Sequence, residues 1–385
     1  MTVTPSIAKP SIAAPLLLAT ACLTIMVGCI VVPALSETAA ALGVRYASWL
    51  VTLPSLGVIV GSPLAGWLIV HRGARATLAG GLFFYGLLGA MAPLLSGPTA
   101  VYADRLLLGG ATAAVMASGT ALIAICWQEP QARLRLIAAQ GMAIELGGVV
   151  FLALGGWLAA RDWRLPFLLY LLAWVLLPVL LAGVRPMPAA KRAGDGSRPA
   201  WPLGVLATAT AAMAVFFVGV LNLPASLATI GLASRGTGLF LAFVSLVAVV
   251  AASRLPALVR RLGESGTFVA AFACEALAFL VFAASPPLPT RCVGALLLGV
   301  GFGWSVPLAN HAVVSRSTPA TLGPLLAALS FALFLGQFLA SFAEWIPGPA
   351  NAPFFAAAAL AAVSAATRLP GLRAARAVRP SLERK

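Results

Sequence analysis

Charged positions are so sparse along this chain that they cut it into long apolar runs. Residues 10–36, 46–70, 76–103, 106–128, 165–184, 199–234, 236–253, 292–315, 317–343 and 345–367 contain no charged side chain. A helix of about 20 apolar residues spans the hydrocarbon of a bilayer, and many of these runs reach that length. A buried helix in a water-soluble domain would be shorter and would alternate with polar segments. The runs and their breaks predict twelve spans, at about 13–35, 48–70, 77–97, 101–126, 136–159, 165–184, 202–223, 236–257, 266–284, 291–313, 320–344 and 351–368. A single acid interrupts the fifth span at Glu145 and the ninth at Glu275.

The polar breaks themselves repeat. Leu42, Arg45, Ser55, Leu56 and Gly73 recur 190 residues later as Leu232, Arg235, Ser245, Leu246 and Gly263, and Leu106-Leu107-Leu108-Gly109 recurs as Leu296-Leu297-Leu298-Gly299. Leucine matches arise by chance in such a chain, so the Arg and Gly pairs carry the argument. The expected fold is therefore all-α and membrane-integral: twelve transmembrane helices as two six-helix pseudo-symmetric halves, an arrangement that places substrate sites between repeats. The division follows: an N-terminal bundle 1–184, a Pro-, Gly- and charge-rich linker 185–200, a C-terminal bundle 201–370 and a basic tail 371–385.

Composition agrees, with 61% apolar and 9% charged residues against about 25% charged in soluble domains. Charge then orients the bundle. With the N-terminus in the cytoplasm, 19 of the 25 Lys and Arg fall on the cytoplasmic side. Arg45, Arg161, Arg164, Arg235 and Arg291 fall outside, and Arg105 lies within a span. This asymmetry is what an even number of spans with both termini cytoplasmic requires. The net charge of +15 is thereby assigned to topology and anionic lipid, not to nucleic acid. The first span is expected to be retained as a helix rather than removed as a signal peptide. Cys22, Cys29, Cys126, Cys274 and Cys292 lack metal-ligand spacing and read as small apolar fillers.

Between the second and third spans, Gly66-Trp67-Leu68-Ile69-Val70-His71-Arg72-Gly73-Ala74-Arg75 resembles the signature loop of the major facilitator superfamily, with Val70 where the family has an acid. The second copy, ending Val259-Arg260-Arg261-Leu262-Gly263, also lacks that acid. On the fourth span, Arg105 with Gly109 four residues on resembles the family's intramembrane arginine motif. Gln140-Gly141 through Gly147-Gly148, and then Gly155-Gly156, resembles the Gly-rich fifth helix of its exporters, without the Pro of the antiporter version. Asp162-Trp163-Arg164 before Pro166-Phe167 resembles the turn that precedes the sixth span. Over essentially its whole length the chain resembles a transporter of this superfamily, and it resembles the drug:proton antiporter or small-molecule exporter branch. The resemblance implies a gating loop containing Gly66, Arg72, Gly73 and Arg75, and cavity-lining positions for Asn222 on the seventh span and Trp304 on the tenth.

Side chains that accept the cost of a charge in hydrocarbon, several kcal/mol on insertion scales, should face the bundle interior, be neutralised or pair. Two roles fit Arg105: a cavity cation that holds an anionic substrate or gates a proton, and a structural arginine satisfied by carbonyls and a neighbouring acid. Asp104 is adjacent, so the two side chains leave the helix about 100° apart and need not pair directly. Glu145, among glycines that admit a neighbouring helix, is a candidate proton-coupling acid or a protonated Glu bonded to that helix. Gln140, Asn222, Asn310 and Gln337 supply amides, and Trp304 an indole that would suit an amphipathic organic substrate; helix packing is the plain alternative for each. Glu275, on the ninth span, is expected to pack. Glu344 lies near a span end and is expected to be solvated, and His311 to be structural. Pro33, Pro54, Pro93, Pro224, Pro307 and Pro324 permit bending at span ends.

These residues predict a secondary active transporter of a small organic compound working by alternating access, with proton-coupled export first. Import or facilitated passage of a small organic anion, with Arg105 as counter-ion, is the alternative. The expected partners are that substrate, protons and the lipid bilayer, with the chain acting as a monomer in a bacterial inner membrane. No cofactor and no metal are implied. An enzyme is not expected: His71 and His311 both lie near span ends, no His-Glu-x-x-His motif occurs, and no phosphate-binding Gly-rich loop ends in Gly-Lys-Ser/Thr.

Overall fold

A computed structural model describes residues 10–185, 201–284, 287–318 and 321–370. The predicted linker, from residue 186 to 200, and the basic tail 371–385 lie outside the described residues. The chain divides into two compact units, residues 1–194 with 233–239 and residues 195–232 with 240–385. In the first, α1 (Pro10–Cys29), the short α2 (Leu35–Ala41), α3 (Trp49–Arg72), α4 (Ala74–Met91), α5 (Pro98–Cys126), α6 (Pro130–Ala159), the single turn α7 (Leu165–Leu168) and α8 (Leu172–Gly183) follow in order. The second is formed by α9 (Leu203–Ala228), α10 (Ser234–Ala283), α11 (Leu288–Ser315), α12 (Leu322–Leu339) and α13 (Ala352–Ala366). The first turn of α10 packs with the first unit.

Ten helical stretches among the described residues are long and apolar enough to cross a membrane, α7 and α8 forming one of them through a 3-10 turn. Two further spans complete the set of twelve. The 50 residues of α10 are two limbs that meet at non-helical Gly263, and α13 is apolar but short. Large apolar side chains such as Val60, Leu107, Val175 and Val363 are each at least 60% exposed on the spans, an arrangement suited to lipid and not to water.

Sequence boundaries shifted where helix propensity outran apolarity. The predicted break after residue 257 is helical up to Leu262, because Arg, Leu and Ala favour helix even where charge ends the membrane run. The fifth span begins six residues early, at Pro130, where the Glu129 carboxylate caps the helix by accepting from the Gln131 and Ala132 N–H groups at 3.2 and 2.8 Å. The first span, Ile12–Ala41, is not one continuous helix: α1 ends at Cys29 and Pro33 sits in a separate 3-10 turn before α2.

The duplication is legible in backbone contacts. A Cβ on Gly109 of α5 would lie 2.0 Å from the Pro54 carbonyl oxygen of α3. A Cβ on Gly299 of α11 would lie 2.6 Å from the Val244 oxygen of α10. Both residues of the second contact stand 190 after those of the first. The helix-joining glycines match as well: Gly73 has φ 85°, ψ 154° and Gly263 φ 71°, ψ 175°, and each carbonyl accepts from a threonine four residues on, Thr77 at 2.9 Å and Thr267 at 2.7 Å. The matches nearer the first helix of each half are not structural equivalents. The left-handed turn glycines there are Gly43 and Gly231, which stand 188 apart, and Arg45 lies in a loop whereas Arg235 is already within α10. Replacing Gly73 by Ala forces an L-residue into a region that only glycine populates freely, and is expected to cost about 1–3 kcal/mol; a thermal melt of the purified protein reads this as a lowered midpoint, and Gly263→Ala should behave alike.

Candidate functional site

The strongest electrostatic feature of the first unit is at the start of α5. Asp104 and Arg105 are 4% and 1% exposed. Adjacency on the helix did not require it, but they pair directly: Arg105 Nε and Nη2 donate to Asp104 Oδ2 at 3.0 and 2.5 Å. The long arginine arm folds back on its neighbour because a buried guanidinium gains more from any reachable carboxylate than from a better-separated rotamer. Nη2 also donates to the Leu88 carbonyl of α4 at 3.1 Å, and the guanidinium carbon lies 5.6 and 5.9 Å from the Phe167 and Tyr170 rings. Carboxylate, carbonyl and aromatic faces thus enclose the charge.

Glu145 is different. It is half-buried on α6, which lies close against α1: a Cβ on Gly147 would stand 3.2 Å from Ile25 Cγ2, and Cys22 Sγ donates to the Ala143 carbonyl at 2.9 Å. No hydrogen bond or ion pair engages the Glu145 carboxyl among the described residues. One turn and a half earlier, Gln140 exchanges hydrogen bonds with Thr120 of α5 at 3.4–3.5 Å. Sequence reasoning did not single out Thr120, since an uncharged hydroxyl in a long span carries no distinctive signal.

In the second unit the polar ends of two candidates are turned to backbone. Asn222 Nδ2 donates to Val218 O on its own helix at 2.8 Å, and Trp304 Nε1 to Ala251 O of α10 at 3.1 Å. Near them Phe216 of α9 stacks on Phe302 of α11 with ring centroids 3.7 Å apart, a pair that the sequence did not flag. Gln337 is buried, Asn310 and His311 are exposed, and Glu344 is exposed.

The gating-loop residues separate into two groups. Gly66 lies within α3, Arg72 is exposed, and His71 stacks on Trp67 at 4.4 Å. Arg75 Nη2 donates to the Leu181 carbonyl in the last turn of α8 at 2.9 Å, where a cation complements the helix end. The corresponding turn of the second unit carries an acid that the sequence reading missed, because it follows the turn glycine. Glu264, next to Gly263, accepts both carboxylate bonds from Arg316 Nη2 at 2.9 and 3.0 Å. Arg368, at the end of the predicted twelfth span, donates to Gly204 O and Thr208 Oγ1. Burial pushes its guanidinium down from the ordinary value, Glu264 opposing and Arg316 adding to the shift.

Two bundles of membrane-spanning helices related by an internal repeat, with acids and amides set inside the spans, define an integral membrane protein of the secondary-transporter class. The chain belongs to the Major Facilitator Superfamily, whose family profile matches residues 16–341. Among curated proteins no sequence matches it. Solved structures share its fold at low identity. The nucleoside transporter NupG has 13% identity and a TM-score of 0.72, covering 94% of this chain and 99% of its own. A D-xylose-proton symporter has 15% identity and a TM-score of 0.75, covering 92% and 96%. A bacterial homolog of the human lysosomal transporter Spinster has 14% identity and a TM-score of 0.75, covering 95% and 98%.

Proposed function

We propose that this transporter exports a small organic compound in exchange for protons, and that Glu145 is the coupling acid. The observation that carries this reading is a contrast among three acids within the spans. Asp104 is neutralised by Arg105 and Glu275 is hydrogen-bonded to Ser305, while Glu145 has neither a cation nor a hydrogen-bond partner among the described residues and keeps partial access. An acid that exchanges protons during a cycle must be reachable and must not be tied to a fixed cation. Protonation from one side favours one access state, substrate binding from the other competes with it, and rocking of the bundles exchanges the two.

Gln140 and Thr120, which exchange hydrogen bonds between α6 and α5, supply polar contacts for the substrate. Their number suits an amphipathic compound better than a sugar, which requires many donors and acceptors. Asp104 and Arg105 act as a structural brace in this reading, so the importer alternative with Arg105 as counter-ion is not favoured. The α3–α4 turn and both termini face the cytoplasm, as the basic residues ask, in a bacterial inner membrane, with the linker 185–200 joining the bundles.

The test is proton flux in proteoliposomes during a screen of lipophilic cations, aromatic antibiotics and small organic acids. Glu145→Gln is expected to abolish substrate-triggered proton movement while the protein remains folded and still binds substrate. Transport that is unchanged in Glu145→Gln and indifferent to an imposed pH gradient would sink proton coupling through this residue. Inverted vesicles give the direction of flux.

A further inference from the structure

Glu275, in the second limb of α10, is completely buried. From α11, Ser305 Oγ stands 3.1 Å from its Oε1 and 3.3 Å from the Phe302 carbonyl, and Ser305 is completely buried too. Glu275 Oε2 has no hydrogen-bond partner among the described residues. Room for the acid is made by Gly301, one turn before Ser305: a Cβ there would come 2.5 Å from Glu275 Cγ.

Among the described residues no cation pairs with this carboxyl, and Arg368, which lies over the Phe268 ring, stands about two turns toward the start of the limb. This limb packs on α9 through Gly219 and Phe279, on α11 through Gly294 and Phe282, and on α13 through Phe354. Neither α9 nor α13 contains a charged residue. On α11, Arg291 donates to Ser226 O and Oγ at 2.6 and 2.8 Å, far along the helix from Ser305, and His311 is exposed. Glu264, at the start of the limb, is paired with Arg316. The remaining titratable groups are thiols, Cys274 beside Glu275 and Cys292 on α11.

Counting donors decides which form fits. A carboxylate only accepts, and the single Ser305 proton can serve Oε1 but not Oε2, so the ionised form leaves one oxygen without a donor and a bare charge in the core. With a proton on Oε1, the carboxyl donates to Ser305 and Ser305 donates to the Phe302 carbonyl.

We propose that Glu275 is a proton-binding site, held as the neutral acid in a Glu275–Ser305–Phe302 hydrogen-bond chain that fastens α10 to α11. The proton is resident rather than transported, and the site does not depend on the role given to Glu145. Because α11 also carries Trp304 and Asn310, removing this proton loosens the helix that presents them.

The experiment uses the full chain in lipid nanodiscs, comparing infrared spectra and thermal stability from neutral to alkaline pH. The wild type is expected to show a protonated-carboxyl carbonyl band that Glu275→Gln removes, and to lose melting temperature at alkaline pH where Glu275→Gln keeps it. Ser305→Ala should move the band to higher frequency as its hydrogen bond is lost. Glu145→Gln, which tests the coupling reading, should leave this band in place. A wild-type spectrum with no band lost in Glu275→Gln, or parallel alkaline losses in both proteins, overturns the proposal. If Glu275→Gln does not fold, an unmoved band in Ser305→Ala overturns it as well.

Discussion

Asp104→Asn is expected to destabilise the protein by about 3–5 kcal/mol, the usual cost of leaving one partner of a buried ion pair uncompensated. Arg105 is 1% exposed, and its remaining partners would be the neutral amide oxygen of the replaced side chain, the Leu88 carbonyl and two aromatic rings. None of these carries a full negative charge. The arginine cannot escape by losing its proton, since a guanidinium stays charged in proteins. The loss should appear as a large drop in melting temperature and in the monodisperse fraction after solubilisation. The paired replacement Asp104→Leu with Arg105→Met removes both charges, and is expected to recover most of the stability because apolar residues often substitute for a buried ion pair without net cost. A double variant that is folded but inactive would show that the pair also serves transport; a single variant as stable as the wild type would refute the brace.

Gly109→Ala is expected to prevent α3 from packing on α5, while Gly110→Ala, one residue on, is tolerated. The added Cβ at Gly109 would sit 2.0 Å from the Pro54 oxygen and 2.7 Å from Gly57 Cα, whereas nothing lies within 4 Å of a Cβ at Gly110. Overpacking of a core typically costs about 1–3 kcal/mol, occasionally more. Here the obstruction is backbone on both helices, which cannot rotate aside, so the cost should reach or exceed the top of that range. Gly110→Ala should even gain up to about 1 kcal/mol from helix propensity. Expression yield and melting temperature of the two variants, side by side, check the contrast. Equal behaviour would mean that the two helices are not in backbone contact in the membrane.

The ladder of spans was legible because hydrocarbon punishes every unpaired polar group and charge, so a membrane-spanning chain must spell out its helices as uninterrupted apolar runs. The repeat was legible for a related reason. Gly109 and Gly299 are conspicuous in leucine-rich context, and the backbone contacts they permit, with Pro54 and Val244, lie at the same step of 190. The limbs of α10 were less so, since Arg254, Arg260 and Arg261 end an apolar run without ending a helix. Glu264 escaped notice because the family pattern directs attention to the residues before the turn glycine.

By itself, the sequence determined the class of protein, the number of spans and the short roster of residues able to carry charge or hydrogen bonds inside them. It could not say which of three membrane acids is bound to what, because partners on different helices are set by packing and rotamer choice, not by spacing. Only the tertiary structure closed Arg105 onto Asp104, gave Glu275 to Ser305, and left the Glu145 carboxyl without a donor or cation among the described residues. In a low-dielectric interior each of those contacts is worth far more than in water, and so the fold, more than the residue list, separates a brace from a site for chemistry.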